Sequence, residues 1–194
     1  MEDTFFQNDE LLIPTVDESS IDNENATKIS ELSKKGYQLL KEDDAEGARA
    51  AFFEILELDR NNNYALVGLG DIERKIGNID KAFEYYENCL EYYPANNYAL
   101  FGLADCYKAM KKYNKAIEIW QQYLVHDNTN ITVITRVADA FRKTKNFKQS
   151  KELYLKTLKV LDNNNEEIKF GTFSIKKQEY AFKVLNEVDK LVIE

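Results

Sequence analysis

His126, the only histidine, stands beside Asp127, and that pairing of imidazole and carboxylate is the raw material of general-base catalysis. Adjacent residues at the end of a helix point in different directions, however, and no nucleophile is placed with them. Cys89 and Cys106 form no CxxC pair and have no histidine cluster beside them. They read as buried, reduced thiols acting as small apolar residues, with neither a disulfide nor a metal site. Gly68-Leu69-Gly70 supplies two thirds of a phosphate-cradling GxGxxG, but it falls inside a helical pattern rather than after a strand. No catalytic site, cofactor or metal is expected from these residues, and the chain reads as a non-enzyme.

The spacing that does carry information is structural. Gly36, Gly70, Ala104 and Ala138 stand 34 residues apart, a period that marks a helix-turn-helix solenoid. Other phases keep step. Four residues earlier come Leu32, Leu66, Leu100 and Ile134; sixteen later come Phe52, Tyr86, Trp120 and Tyr154. Alanine holds the twelfth place after the small residue in three units (Ala48, Ala82, Ala116), with Ser150 in the fourth. Each unit contains two stretches of about 13 residues with apolar positions at helical spacing. Short polar breaks divide them at Asp43-Asp44, Gly77-Asn78, Lys111-Lys112 and Lys145-Asn146. Asparagines gather between units, where they cap helix starts and tolerate left-handed backbone. The small residues are expected to let paired helices approach, with the aromatics filling the space beyond.

These positions resemble the tetratricopeptide repeat family, whose unit reads W-x2-L-G-x2-Y, then A-x3-F, then P. The second unit is the best match, with Leu66-x2-Leu69-Gly70, Ala82-x3-Tyr86 and Pro94. The resemblance implies an all-α, right-handed solenoid of four repeats (29–62, 63–96, 97–130 and 131–164). Residues 1–28 precede it as an acidic, disordered tail; residues 165–194 follow as a capping segment, with Ala181, Leu185, Val188 and Val192 on one helix face.

Function in this family comes from the concave face, lined by the first helix of each unit. Carried over position by position, the resemblance implies a groove built from Tyr64, Val67, Asp71 and Arg74, then Tyr98, Phe101, Asp105 and Lys108, then Arg136 and Asp139. Gly68 and Gly102 would floor an aromatic shelf. Asp71, Asp105 and Asp139 also stand three residues before Arg74, Lys108 and Arg142, a spacing that pairs charges along one helix. The chaperone-binding members of the family share a clamp of Lys and Asn for a C-terminal carboxylate. The corresponding positions here carry Ser33, Tyr37, Gly68, Tyr98 and Gly102, so a chaperone tail is not the expected ligand. A protein or peptide partner is expected, with self-stacking as a structural subunit the alternative.

Charge narrows the classes further. The chain of 194 residues has a net charge of −8. Residues 1–27 hold eight acids and no base, leaving 26 acids against 26 bases in the remainder. The bases are scattered among acids along the sequence, which argues against nucleic acid. The start lacks a basic n-region and a continuous apolar h-region, and no apolar run approaches the roughly 18 residues of a membrane span. A cytoplasmic location is the expectation.

Overall fold

The computed structural model describes residues 18–163 together with residues 183, 185 and 186. Among the described residues there are eight helices and no strand: α1 (Glu18–Lys41), α2 (Ala45–Leu58), α3 (Asn63–Lys75), α4 (Ile79–Tyr92), α5 (Asn97–Ala109), α6 (Tyr113–His126), α7 (Ile131–Lys143) and α8 (Phe147–Asn163). Each helix packs on the next, and α1 also touches α3, as α3 touches α5. The first helices of neighbouring repeats therefore lie side by side, and the chain is an all-α helical solenoid.

The polar breaks make the turns by one repeated device. Asp43, Gly77, Lys111 and Lys145 all have positive φ, between 60° and 86°. The next residue's N–H reaches back five residues, as in Asp44 N to Leu39 O (2.9 Å) and Lys112 N to Tyr107 O (2.9 Å). This is the Schellman ending, which needs one left-handed residue after the helix. Between repeats, Asn62 and Asn96 each accept two backbone N–H bonds through their side-chain oxygen, and Asn130 accepts one from Val133. These caps stop the helix from running backwards.

The first repeat lacks such a stop. Lys28 stands one period before Asn62 and cannot accept a hydrogen bond, so α1 continues upstream to Glu18. Residues 18–28, expected to belong to a disordered tail, are helical. Lys28 pairs with Glu54 at 2.9 Å. Residues 1–17, with Phe5-Phe6 and Leu11-Leu12-Ile13, lie outside the described residues. So does most of the expected capping segment. Within it, residues 183, 185 and 186 are helical, and Leu185 is buried against Ala138, Tyr154 and Leu158.

The core runs along the solenoid as a file of large rings. Phe52, Tyr86, Trp120 and Tyr154 are fully buried; burying each such side chain is worth about 2–3 kcal/mol. The glycines do more than bring helices together. A Cβ at Gly36 would lie 2.7 Å from Phe52, and one at Gly68 closer still. Gly70 and Gly102 stand in the same way against Tyr86, with 2.6 Å at Gly70 and less at Gly102. Phe52 and Tyr86 are thus each gripped by a glycine of their own repeat and one of the next, while Trp120 and Tyr154 pack with Ala104 and Ala138. Gly68 and Gly102, expected as an open floor for ligand, are buried backing for these rings.

Candidate functional site

The groove residues sort into those that face solvent and those that the fold consumes. Tyr98 and Tyr64 stand near the starts of α5 and α3, and are 77% and 56% exposed. Val67, expected beside them, is only 4% exposed and packs with Leu66, Tyr86 and Leu103. It is a core residue, because its turn of α3 faces α5 rather than open space.

Below the tyrosines, charge is organised as a ladder across repeats. The Tyr86 hydroxyl donates to Asp71 at 2.7 Å, and Arg74 reaches Asp71 at 3.0 Å. Arg74 also approaches Asp105 at 3.6 Å, and Asp105 receives Arg136 from the following repeat. Arg136 lies 4.8 Å from the Phe101 ring centroid, a cation–π contact. In the fourth repeat Tyr154 donates to Asp139, which Arg142 approaches at 3.5 Å. The expected i,i+3 pairing holds for Asp71–Arg74 and Asp139–Arg142. It fails for Asp105, whose partners are Arg74 and Arg136, leaving Lys108 exposed.

The failure has a cause fifteen residues away. Trp120 stands where Tyr86 and Tyr154 stand in their repeats, and an indole has no hydroxyl to offer. Its Nε1 is buried without a hydrogen-bond partner. Asp105, only 8% exposed, takes both neighbouring guanidiniums instead. Burial pushes its carboxyl above the ordinary value, against the pull of Arg136 and Arg74. Burial likewise raises the Tyr86 hydroxyl, reinforced by Asp71. For Arg74, burial acts downward, and the Tyr86 and Asp71 contacts outweigh it to raise its pKa.

Two clefts open on this face. One of about 700 Å³ lies between α1 and α3, lined by Ile29, Ser33, Lys34, Tyr37 and Tyr64 among others. The Tyr37 hydroxyl donates to the Tyr64 carbonyl at 3.1 Å, joining the two repeats there. The other, about 460 Å³, is lined by Asn97, Tyr98, Phe101, Tyr123, Asn130 and Thr132. Tyr123 comes from a second helix and was not among the groove positions. Its phase holds Ile55, Cys89 and Thr157 in the other repeats, so its greater size was a legible signal. Too large for that slot, it emerges into the cleft, where Asn130 donates to its hydroxyl at 2.8 Å.

The residues that suggested chemistry are occupied structurally. Asp127 accepts from Thr129 and Asn130, closing the turn before α7. Cys89 and Cys106 are free and buried, with both thiols pushed up to about 11 by desolvation. Among the described residues, no helix is long and apolar enough to cross a membrane.

Two family models described as tetratricopeptide repeat match residues 34–88 and 74–130. No curated protein matches the chain. Among solved structures, MamA of Desulfovibrio magneticus is 16% identical with a TM-score of 0.63, over 84% of this chain and 94% of that one. A tetratricopeptide repeat protein of Parabacteroides merdae is 17% identical with a TM-score of 0.66, over 84% of this chain and 61% of that one. A mutant O-GlcNAc transferase of Thermobaculum terrenum is 16% identical with a TM-score of 0.66; 70% of this chain aligns with 26% of that one. At such identities the likeness is one of fold.

Proposed function

Because the chain belongs to the tetratricopeptide repeat family, whose repeats are protein–protein interaction scaffolds, we propose that it is a non-catalytic adaptor gripping a peptide segment in its concave groove. One observation carries this reading. Tyr98, 77% exposed, stands over a cleft walled by Phe101 and Tyr123, and nothing in the fold uses its ring. Exposed aromatic side chains beside a preformed cleft are typical anchors of an interface. The Asp–Arg ladder is already neutralised internally, so the groove offers rings and amides more than free charge. Tyr64, Tyr98 and Phe101 are then the contact residues, with Asp71, Arg74, Asp105, Arg136 and Asp139 holding their helices in register.

A random peptide library selected on the intact chain tests the proposal. Peptides so obtained should lose at least about 2 kcal/mol of binding to the Tyr98→Ala, Phe101→Ala double variant, while helical content stays constant. Equal capture by both proteins would move the interaction off the concave face.

A further inference from the structure

The turns that join the two helices of each repeat lie along one edge of the solenoid, and their charge climbs steadily from repeat to repeat. Residues 38–49 hold two bases and four acids, and residues 72–83 hold three bases and two acids. Residues 106–117 hold four bases and no acid, and residues 140–151 hold five bases and no acid. Read at equal phase, the four turns carry −2, +1, +4 and +5. Bases that look scattered along the sequence are sorted by the fold.

The two halves of this edge differ in more than sign. In the first half the charges are satisfied internally: Lys75 pairs with Asp43 across the turns, and Arg49 pairs with Glu73. In the second half Lys108, Lys111, Lys112, Lys115, Lys143 and Lys145 are exposed, with no ion pair among the described residues. Two clefts of about 240 and 260 Å³ meet there, and Tyr113 lines both. Asp139, the one acid lining them, is already held by Tyr154 and Arg142.

We propose that the turn edge of the third and fourth repeats is a second binding surface, for an acidic peptide segment of a partner protein. The lysines of both turns flank a shared aromatic wall, so carboxylates spaced along an extended chain meet cations on either side. An aromatic or aliphatic side chain between them seats against Tyr113. Like-signed exposed charge of this kind steers a complementary partner and weakens steeply with salt. A nucleic-acid strand fits less well, because Tyr113 is the single ring in the two clefts and successive bases need successive stacking surfaces. A membrane surface fits less well too, since cations set around clefts do not present a flat face. The smaller cleft takes in Arg136 and Asp139 of the concave face, but none of these lysines lines the cleft of Tyr98 and Phe101, so the proposal does not depend on the reading of that aromatic shelf.

The chain's own residues 1–17, five acids and no base with Phe5 and Phe6 among them, supply a ready probe as a labelled synthetic peptide. Its fluorescence anisotropy is followed on titration with the full chain at about 50 mM salt. We expect binding that weakens at least about tenfold near 300 mM salt and about tenfold in the Lys111→Glu, Lys145→Glu variant. Tyr98→Ala should leave it unchanged. Lys112→Gln with Lys143→Gln is a gentler pair that should show a smaller loss in the same direction, should the charge reversal disturb folding. The proposal is overturned by absence of binding, by indifference to both lysine pairs, or by loss of binding in Tyr98→Ala. Lysine-dependent binding of phosphatidylserine vesicles or single-stranded RNA, with no binding of the peptide, would overturn it equally.

Discussion

Tyr86 and Tyr154 hand their hydroxyls to aspartates fifteen residues earlier, while at the same two phases Tyr37 and Phe52 meet edge to face at 5.2 Å. The four repeats thus solve one contact in three ways, and Trp120 frees Asp105 to bind two arginines. At this scale the glycines give the sharpest expectation. Gly102→Ala drives a methyl group into the Tyr86 ring, so it should cost about 1–3 kcal/mol, as overpacking does, seen as a lowered urea midpoint. The left-handed turn residues give the opposite sign. Lys111 holds φ at 60° with a side chain that disfavours it. Lys111→Gly should therefore raise stability by about 0.5–1 kcal/mol in the same assay, while Gly77→Ala, at φ 86°, should lower it. The period exposed which positions were small and which were large. It did not show that a glycine of one repeat serves the ring of the repeat before it, since that second glycine lies as far after the ring as the ring's own glycine lies before it.

Helix boundaries follow from single capping residues, and α1 shows what happens when one is missing. An acid-rich stretch without periodic apolar residues reads as a tail, and only the absence of an acceptor at Lys28 hints that the helix has nothing to stop it. Between helices the least expected contact is Glu73, 2% exposed at a phase otherwise held by Leu39, Tyr107 and Phe141. Arg49 of α2 and Asn78, which begins α4, both bond to it. This ties three helices through one carboxylate. Arg49→Ala leaves that carboxylate buried without its cation and should cost about 3 kcal/mol, whereas Arg49→Met with Glu73→Leu should recover most of the loss. Equilibrium unfolding of the four proteins of the double-mutant cycle checks it.

Across the whole molecule, helix count, turn positions and the ring file were legible because a period of 34 repeats every local constraint four times. The groove was legible only in part. Exposed Tyr64 and Tyr98 stand where the resemblance put them. Val67, Gly68 and Gly102 do not reach solvent: Val67 faces α5, and the ring of the preceding repeat covers each glycine, contacts that a single repeat does not reveal. The amino-terminal segment gives a prediction at this scale. Deleting residues 1–27 should reduce the far-ultraviolet helix signal by about the ten residues of α1 that go with it. The deletion leaves in place Lys28, with its surface pair to Glu54, and Ile29, which packs against the first core cluster. The melting temperature should therefore fall by no more than about 2 °C.

Because Phe52 and Tyr86 are each gripped by glycines on both sides of a repeat boundary, the unit that could be moved as a cassette is not the one the sequence period suggests. A cut at residue 62 separates Phe52 from Gly68, and a cut at residue 96 separates Tyr86 from Gly102. A splice between the two helices of a repeat, at Gly77-Asn78, instead keeps Phe52 with both of its glycines and Tyr86 with the second of its own. Grafting residues 29–75, which hold Gly36, Phe52 and Gly68 together, would carry a finished joint into another solenoid. Grafting 63–96 would deliver a ring that must find its second glycine in the host.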